Sequence, residues 1–228
     1  MSQNRTVLVT GGSSGLGAAV VEAVAQEGWH PFVLDRTPSP SGREGIVVDL
    51  ADRRAAEAAV AQASERLGGI DAVVTCAGTD ACGRLDSVDA DAWEKVIQVN
   101  LLGTVTVVRA ALPDLTARHG TVVTVASTLG FRALSDATAY SASKFGVVGF
   151  TRALTAELQG QVGVTMLVPG GMETHFFDGR DEQYKPGPDA RLNKPSDVAR
   201  AVVFALSQPE GCEVRELVIT PSVEPSWP

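Results

Sequence analysis

Tyr140 and Lys144 are the residues whose types and spacing most clearly indicate chemistry. They stand four positions apart in a segment that we predict to be helical, so both side chains share one helix face. A phenol with an ordinary pKa of about 10 exchanges few protons at neutral pH, but a neighbouring ammonium favours its ionised form and lowers that pKa. With two tyrosines and four lysines in the chain, this spacing is expected by accident only about 0.04 times.

Ser127 stands 13 positions before Tyr140 and follows the predicted strand Thr121 to Ala126. A hydroxyl at the end of a strand can donate a hydrogen bond to an oxygen that becomes negatively charged during a reaction. The three residues together therefore indicate proton transfer to and from an alcohol or carbonyl oxygen.

A turn of small residues, Thr10 to Gly17, follows the first predicted strand and opens the first predicted helix. Glycines there allow a tight turn and a close approach of a phosphate to the backbone, while the helix N-terminus supplies free N–H groups. A tight turn without a ligand explains the same pattern, so the turn alone is a weak signal. As a pyrophosphate site it would use Gly11, Ser13, Ser14, Gly15, Leu16 and Gly17.

Asp35 ends the second predicted strand, 18 residues beyond Gly17. A carboxylate at this point accepts hydrogen bonds from both hydroxyls of an adenosine ribose and repels a 2'-phosphate, which predicts NAD as the cofactor. Arg36 follows at once and could instead pair with that phosphate, so NADP is the alternative. Asp49, with Leu50 next to it, ends the third predicted strand and is placed to meet the adenine.

The elements that must position these residues follow from hydrophobic periodicity. Short β-branched runs alternate with longer helical patterns, which predicts an α/β fold: a single Rossmann-like, doubly wound domain over residues 1–228, with a predominantly parallel seven-stranded sheet and helices on both faces. The helical patterns are Leu16 to Val24, Asp52 to Leu67 and Asp91 to Arg118, the last interrupted or ended near its final turns by Pro113. The predicted strands are Thr6 to Thr10, Pro31 to Asp35, Gly45 to Asp49, Asp71 to Cys76, Thr121 to Ala126, Val162 to Val168 and Glu216 to Thr220.

Composition limits the partners. With 19 basic and 27 acidic residues, the net charge of -8 opposes binding to nucleic acid. The three cysteines and three histidines lack metal-ligand spacing, which predicts reduced thiols and no metal site. No targeting signal and no apolar stretch of bilayer-spanning length is evident, so we expect a cytoplasmic protein without a membrane partner. The charged, Gly/Pro-containing stretch 175–194 predicts a substrate lid.

These motifs resemble the short-chain dehydrogenase/reductase family over nearly the whole chain. Thr10 to Gly17 is similar to its T-G-x-x-x-G-x-G turn, and Val99 to Gly103 to its N-x-x-G segment. The resemblance implies that Tyr140 is the general acid/base, that Lys144 binds the nicotinamide ribose and lowers the tyrosine pKa, and that Ser127 polarises the substrate carbonyl. It also implies that Asn100 holds a proton-relay water. Further cofactor contacts implied by the resemblance are Ala77, Gly78, Pro169, Gly170, Met172 and Thr174.

Two departures from the family pattern stand out. Thr75-Cys76 replaces the family's usual Asn-Asn before Ala77 and Gly78, which removes two amide side chains. The C-terminus lacks the usual glycine-containing ending, so a homodimer is as reasonable as the family's common homotetramer. The helix carrying Tyr140 often packs between subunits in this family, and Phe145, Val148, Phe150 and Leu154 are candidates for such an interface or for the core.

The expected function is interconversion of a secondary alcohol and a ketone on a small or medium-sized molecule, by hydride transfer with NAD. One alternative is an NADPH-linked ketoreductase of fatty-acid or polyketide type, in which Arg36 meets the 2'-phosphate. The other is a regulatory protein that binds the dinucleotide without turnover, which the altered Thr75-Cys76 favours and the intact Asn100, Ser127, Tyr140 and Lys144 set opposes.

Overall fold

The computed structural model describes residues 5–227; Met1 to Asn4 and Pro228, which the sequence analysis included in its single domain, lie outside the described residues. Seven strands form one sheet in the order β3-β2-β1-β4-β5-β6-β7, and every pair in it is parallel. The predicted fold class is confirmed. The strands are β1 Thr6–Thr10, β2 His30–Asp35, β3 Gly45–Val47, β4 Ala72–Thr75, β5 Thr121–Val125, β6 Gly163–Pro169 and β7 Glu216–Ile219.

Helices cover both faces of this sheet. They are α1 Gly15–Gln26, α2 Arg53–Leu67, α3 Ala90–Ile97, α4 Thr104–Ala117, α5 Thr138–Glu157 and α6 Pro195–Leu206. Helices α1 and α6 pack with one face, whereas α2 and α4 pack with the other. The Asp52 side chain begins α2 by accepting the Ala55 N–H at 3.0 Å, which satisfies one of the free donors at the helix start.

Alternation along each strand divides the core between the two faces. In β1, Val7 and Val9 pack with α1 and α6, whereas Leu8 packs with α2 and α4. All three side chains are fully buried. A strand buried on both faces reads as an uninterrupted apolar run, which is why β1 shows no polar alternation in the sequence.

The third strand ends two residues before its predicted end. Val47 is exposed at the sheet edge, and the ladder stops there, although the Val48 N–H still donates to the Asp35 carbonyl at 2.7 Å. Asp49 therefore lies in the turn that follows β3, on the way to α2.

Residues 90–117 form one helical run with an irregular centre. A π-helical segment, Gln98–Gly103, separates α3 from α4, and π-bulges of this kind are frequent at functional sites. The prediction that Pro113 interrupts the helix is wrong, because α4 continues past it to Ala117. The missing N–H of Pro113 removes one helical hydrogen bond near the helix end, where the loss is small enough to be tolerated.

This helical run also corrects the expectation that no apolar segment approaches bilayer-spanning length. Within residues 5–227, Ala90–Ala117 is long and apolar enough by length and composition alone. Its apolar side chains have a partner in the fold, since α4 packs against α2 and α3 packs against α5. Helices at the centre of a compact α/β fold carry this composition because they are covered on more than one side.

The candidate interface residues on α5 separate into two groups. Val148 and Leu154 are buried in the core, and Phe150 packs against it. Phe145, with 45% exposure, faces outward. Of the four residues, Phe145 is thus the one that remains available for contact with another copy of the chain.

Candidate active site

One cavity runs along the carboxyl ends of the strands, with a volume of about 1350 Å³. Because all the strands are parallel, their carboxyl ends meet at one edge of the sheet, which is where open α/β sheets bind ligands. Of the predicted site residues, all except Ser13 and Asn100 line this cavity. They are Gly11, Ser14, Gly15, Leu16, Gly17, Asp35, Arg36, Asp49, Leu50, Ala77, Gly78, Ser127, Tyr140, Lys144, Pro169, Gly170, Met172 and Thr174.

The floor of the cavity is made of backbone at the start of α1. Gly11 has a φ of +67°, and a Cβ there would lie 2.7 Å from Ala77 Cα. A Cβ at Gly17 would collide with the Gly11 carbonyl oxygen. Only glycine fits at these two positions. Gly11 lies against the loop after β4 and Gly17 lies against the backbone of the turn itself, and neither contact leaves room for a side chain.

The donors at this floor fit a dinucleotide. Ser14 caps α1 with extended backbone, its hydroxyl makes no capping hydrogen bond, and both Ser14 and the first residues of α1 line the cavity. A helix N-terminus with such donors favours a phosphate. The bare glycine floor and these donors fit a pyrophosphate, and the carboxylates at the strand ends fit an adenosine.

Asp35 and Ser13 are tied to each other. The Ser13 N–H donates to Asp35 Oδ2 at 3.0 Å, and the Thr37 N–H donates to Asp35 Oδ1 at 3.1 Å. The Ser13 hydroxyl donates to the Thr37 carbonyl at 2.7 Å. Ser13 thus holds the ribose-side carboxylate and does not itself line the cavity, whereas Asp35 does.

Two cationic side chains, Lys95 and Arg36, lie near Asp49, which lines the cavity. Lys95 Nζ lies 3.4 Å from Asp49 Oδ2. The Ala51 N–H, which donates to Asp49 Oδ1 at 3.0 Å, is the largest influence that lowers the pKa of this carboxyl, and Lys95 and Arg36 lower the pKa further. The Asp49 carboxylate therefore balances part of the positive charge of Arg36.

Tyr140 and Lys144 lie on one face of α5, as their spacing predicts. Lys144 Nζ is 5.6 Å from the centroid of the Tyr140 ring and donates to the Val125 carbonyl at 2.8 Å. Ser127 follows the same strand, β5, and its hydroxyl accepts the Leu129 N–H at 3.1 Å. The ends of β5 and α5 thus bring a phenol, an ammonium and a hydroxyl together within the cavity.

The pKa of Tyr140 differs from the sequence prediction in direction. Burial raises the pKa of the phenol to about 12, and the nearby Ser127 hydroxyl only partly offsets this by lowering it. The charge of Lys144, whose ammonium lies 5.6 Å from the ring centroid and is held by the Val125 carbonyl, does not reverse this rise. Without a further positive charge in the cavity, the phenol is a proton donor at neutral pH.

Burial also lowers the pKa of Lys144, to about 8. The ammonium is 4% exposed, so keeping it charged inside the protein opposes folding.

We expect Lys144→Met to increase the free energy of unfolding at pH 7 by about 2 kcal/mol, the cost of the buried charge less one hydrogen bond. The folded pKa lies below the unfolded one, so this cost is complete below pH 8 and is relieved as the pH rises from about 8 towards 10.5. Urea denaturation at pH 7 and at about pH 9.5 measures it. Lys194→Met, at an exposed position, should match the wild type at both values. A Lys144→Met variant less stable than wild type at pH 7 would contradict the prediction.

Asn100 lies behind the cavity wall, inside the π-helical segment. Its amide donates to the Thr79 carbonyl at 2.9 Å and to the Ser143 hydroxyl at 3.1 Å, and Asn100 Oδ1 accepts the Thr79 N–H at 2.8 Å. The main-chain carbonyl of Asn100 accepts a hydrogen bond from the Thr104 hydroxyl at 2.9 Å. Asn100 therefore joins the loop after β4 to α5, and its role in a water relay stays a prediction.

The Thr75-Cys76 departure leaves an unsatisfied group. Thr75 Oγ1 is buried and has no hydrogen-bond partner in the described part of the chain. Burial raises the pKa of the Cys76 thiol to about 12 despite the charge of nearby Lys144. The loop keeps its path by other means, since the Ala77 N–H donates to Thr10 Oγ1 at 3.1 Å.

The predicted lid, 175–194, lies over the Tyr140 end of the cavity. It contains two short 3₁₀ turns, His175–Phe177 and Glu182–Tyr184, and is otherwise irregular. Its base is closed where the Asn193 N–H donates to the Gly171 carbonyl at 2.9 Å. The Phe176 ring packs against Tyr140, with centroids 5.6 Å apart.

Sequence reasoning missed several charged residues that line this end, three of which come from three different segments. Asp80, Arg180 and Glu224 come from the loop after β4, the lid and the C-terminal segment. Arg180 pairs with Asp80, and Glu224 Oε2 accepts the Gly171 N–H at 3.0 Å. No short-range pattern marks these residues, because each partner is distant in the chain.

The remaining site predictions concern metals. Among residues 5–227, no group of three or more histidine, cysteine, aspartate or glutamate side chains is placed to hold a metal ion. The exposed His175 ring instead contacts Asp178 Oδ2 at 2.7 Å.

Comparisons with known proteins agree with this geometry. Residues 5–185 match the family model described as short chain dehydrogenase. The glycine betaine reductase ATRR of Emericella nidulans is 33% identical over 240 residues, which cover 97% of this chain but only 19% of that protein, so the chain spans about a fifth of its length. An uncharacterized oxidoreductase of Staphylococcus saprophyticus is 32% identical, with 96% of this chain and 98% of that protein covered. A solved structure of an actinorhodin polyketide ketoreductase variant with NADPH has a TM-score of 0.85 and 28% identity, and the match covers 96% of this chain and 97% of that chain.

Proposed function

The chain belongs to the short-chain dehydrogenase/reductase family of oxidoreductases, and on that premise we propose that it interconverts a secondary alcohol and a ketone, with NAD as the cofactor and Tyr140 as the general acid/base. The observation that carries the proposal is the cluster of Tyr140, Lys144 and Ser127 in a cavity with a glycine floor. These groups offer a proton, a positive charge and a hydroxyl to one reacting oxygen.

The chemistry of the reacting oxygen follows from these side chains. In ketone reduction, the buried phenol of Tyr140 gives its proton to the carbonyl oxygen, and the Ser127 hydroxyl donates a hydrogen bond to that oxygen as its negative charge grows. In alcohol oxidation, the same phenol must first lose its proton and then accepts one from the alcohol. A bound nicotinamide cofactor supplies or accepts the hydride.

Lys144 has two tasks in this proposal. Its ammonium, held by the Val125 carbonyl at 2.8 Å, would donate to a ribose hydroxyl, and its charge would favour a phenolate on Tyr140 against the rise in pKa that burial causes. The phenol pKa of about 12 in the protein alone means that oxidation requires an additional positive charge near Tyr140, which an oxidised nicotinamide cofactor would supply when bound.

The cofactor preference rests on Asp35. Its carboxylate is held at the end of β2 by the Ser13 and Thr37 N–H groups, where it can accept from both ribose hydroxyls. A 2'-phosphate would meet the same negative charge, so NAD is preferred.

The second candidate function is that of an NADPH-linked ketoreductase. Arg36 lines the cavity next to Asp35 and could pair with a 2'-phosphate. The ketoreductase of similar fold was solved with NADPH. The non-catalytic alternative is disfavoured because Tyr140, Lys144 and Ser127 are all in place in the cavity.

Turnover of a panel of ketones and secondary alcohols tests the proposal. It is monitored by the near-ultraviolet absorbance of the reduced nicotinamide. Binding of NADH and NADPH, followed by nicotinamide fluorescence, is measured beside it. Binding without turnover of any compound would favour the non-catalytic alternative over the proposed function.

We expect the two directions of the reaction to respond differently to pH. Between about pH 6 and 7, below the Lys144 pKa of about 8, kcat/KM for alcohol oxidation should rise nearly ten-fold per pH unit, because the phenolate is the base. Ketone reduction should change little over the same range, because the phenol pKa of about 12 keeps the proton in place. Initial rates in both directions measure this. An oxidation profile that is flat while chemistry limits the rate would contradict the role of Tyr140.

The remaining proposals concern the surroundings of the enzyme. We propose a cytoplasmic homodimer or homotetramer, in which the exposed side chains of Phe145 on α5 and of Leu102 contribute to an interface. The net charge of -8 supports small-molecule substrates over nucleic acid. Sedimentation at several protein concentrations tests the assembly.

A further inference from the structure

Arg180, in the lid, joins two walls of the cavity. Its Nη2 lies 2.5 Å from Asp80 Oδ2, and the two side chains are only 17% and 6% exposed. Both residues line the cavity. The lid is thus fastened to the loop after β4 at the end where a substrate must enter.

Two aromatic rings lie against the guanidinium of Arg180. Arg180 Cζ lies 5.0 Å from the ring centroid of Phe176 and 4.6 Å from that of Phe177. Phe176 also packs against Tyr140, at 5.6 Å between centroids. The guanidinium therefore lies one aromatic ring away from the phenol, stacked as arginine commonly stacks on aromatic faces.

The guanidinium still has a donor without an acceptor. Nη1 donates to the Tyr184 carbonyl at 3.3 Å, and Nη2 is engaged by Asp80. The Nε–H is buried and has no hydrogen-bond partner among residues 5–227. A cationic N–H without an acceptor is destabilising, so a substrate oxygen that reaches it when the lid residues around it shift would be stabilised there.

The negative charge of Asp80 determines whether the enzyme favours a neutral or a charged substrate oxygen at this point. The carboxylate neutralises Arg180 and is itself held in place, since Asp80 Oδ1 accepts the Ala81 N–H at 2.7 Å and Oδ2 accepts the Cys82 thiol at 3.2 Å. A second anion next to this neutral pair would lose its hydration without a net positive charge to compensate for that loss. A neutral oxygen accepts the hydrogen bond without that cost.

We propose that Arg180 is a specificity-determining residue, which donates to a neutral carbonyl or hydroxyl oxygen that the substrate carries a few bonds from its reacting carbonyl. The proposal rests on the proposed function and names its substrate class: neutral ketones with a second oxygen, in preference to hydrocarbon ketones and to keto acids. Asp80 serves as the residue that rejects the acids.

Three ketones that differ only at the far end test this in the wild-type enzyme: the methyl ester of levulinic acid, levulinate itself, and the methyl ketone of equal chain length without the ester. We expect kcat/KM for the ester to exceed that of the hydrocarbon ketone by roughly ten-fold or more, and levulinate to be the poorest substrate. Ratios between substrates cancel any change in proton transfer at Tyr140, which all three share.

Two variants separate the partners of the pair. Arg180→Met should reduce the preference for the ester over the hydrocarbon ketone to less than about three-fold, because the donor is gone. Asp80→Asn keeps an acceptor for the Ala81 N–H but leaves the charge of Arg180 unbalanced. The kcat/KM for levulinate should therefore rise about ten-fold or more relative to that for the ester. Arg200→Met, on the exposed face of α6, is the matched control and should keep the wild-type ratios.

The outcomes distinguish the inference from the proposed function. Turnover of none of these ketones, nor of any in the wider panel, would refute the proposed function. Turnover with equal kcat/KM for ester and hydrocarbon ketone in the wild type overturns the inference alone, as does an Arg180→Met variant that retains the preference. If Asp80→Asn gains nothing with levulinate, the assignment of Asp80 is wrong.

Discussion

Tyr140→Phe is expected to lower kcat for both ketone reduction and alcohol oxidation by about a thousand-fold, the usual contribution of a positioned general acid/base. The substitution removes a single oxygen and leaves the ring in place against Phe176. The packing of α5 should therefore be kept, and the loss should fall on proton transfer. Steady-state kinetics with a substrate from the panel measures it.

Two controls make this result specific. Binding of NADH to the Tyr140→Phe variant, followed by nicotinamide fluorescence, should stay within a few-fold of wild type, because the pyrophosphate and adenosine parts of the cavity are unchanged. Tyr184→Phe makes the same chemical change at the chain's other tyrosine, whose carbonyl, not its hydroxyl, contacts Arg180, and should retain activity. A Tyr140→Phe variant with wild-type kcat would refute the assigned role.

Asp35→Asn is expected to change the affinities for the two cofactors in opposite directions. Binding of NADH should weaken by roughly ten-fold, because a neutral amide is a poorer acceptor for the ribose hydroxyls than a carboxylate. Binding of NADPH should strengthen by roughly ten-fold, because the repulsion of the 2'-phosphate is removed and Arg36 remains beside it. Fluorescence titration with each cofactor gives both values.

The opposite signs exclude a purely structural explanation. Asp35 also accepts hydrogen bonds from the Ser13 and Thr37 N–H groups. If the substitution loosened the backbone at Ser13 and Thr37, the binding of both cofactors would weaken together. Asp197→Asn, at an exposed aspartate paired with Arg200 on α6, should change neither affinity. If wild-type protein binds NADPH more tightly than NADH, the assignment of NAD is wrong and the ketoreductase alternative gains.

Local sequence is enough to predict most of the fold. The β-branched runs and helical periodicities mark elements within one or two residues of their ends, because both faces of a central parallel sheet must be apolar and its helices must each present one apolar face. Pro113 was misjudged, since the packing of α4 outweighs one lost hydrogen bond. The assignment of Val148 and Leu154 to core or interface needed the structure, because an apolar side chain suits either place.

The pairing of Tyr140 with Lys144 is likewise readable from the sequence, because a spacing of four residues places two side chains on one helix face whatever the surroundings. The proton affinity of the phenol is not readable in this way. It depends on how completely the Phe176 lid and the sheet exclude water from Tyr140, and on the Val125 carbonyl that holds the ammonium.

By itself the sequence determined the seven strands along the chain, the helices before α6, the glycine turn and the spacing of the catalytic candidates, since each of these depends on neighbours within a few positions. Only the tertiary structure decided which charges meet at the substrate end. Asp80 and Arg180 are a hundred residues apart, and neither stands in a pattern that local periodicity marks. Their contact arises because parallel strands deliver distant loops to one edge of the sheet, where a lid folded back across that edge brings them within hydrogen-bond distance.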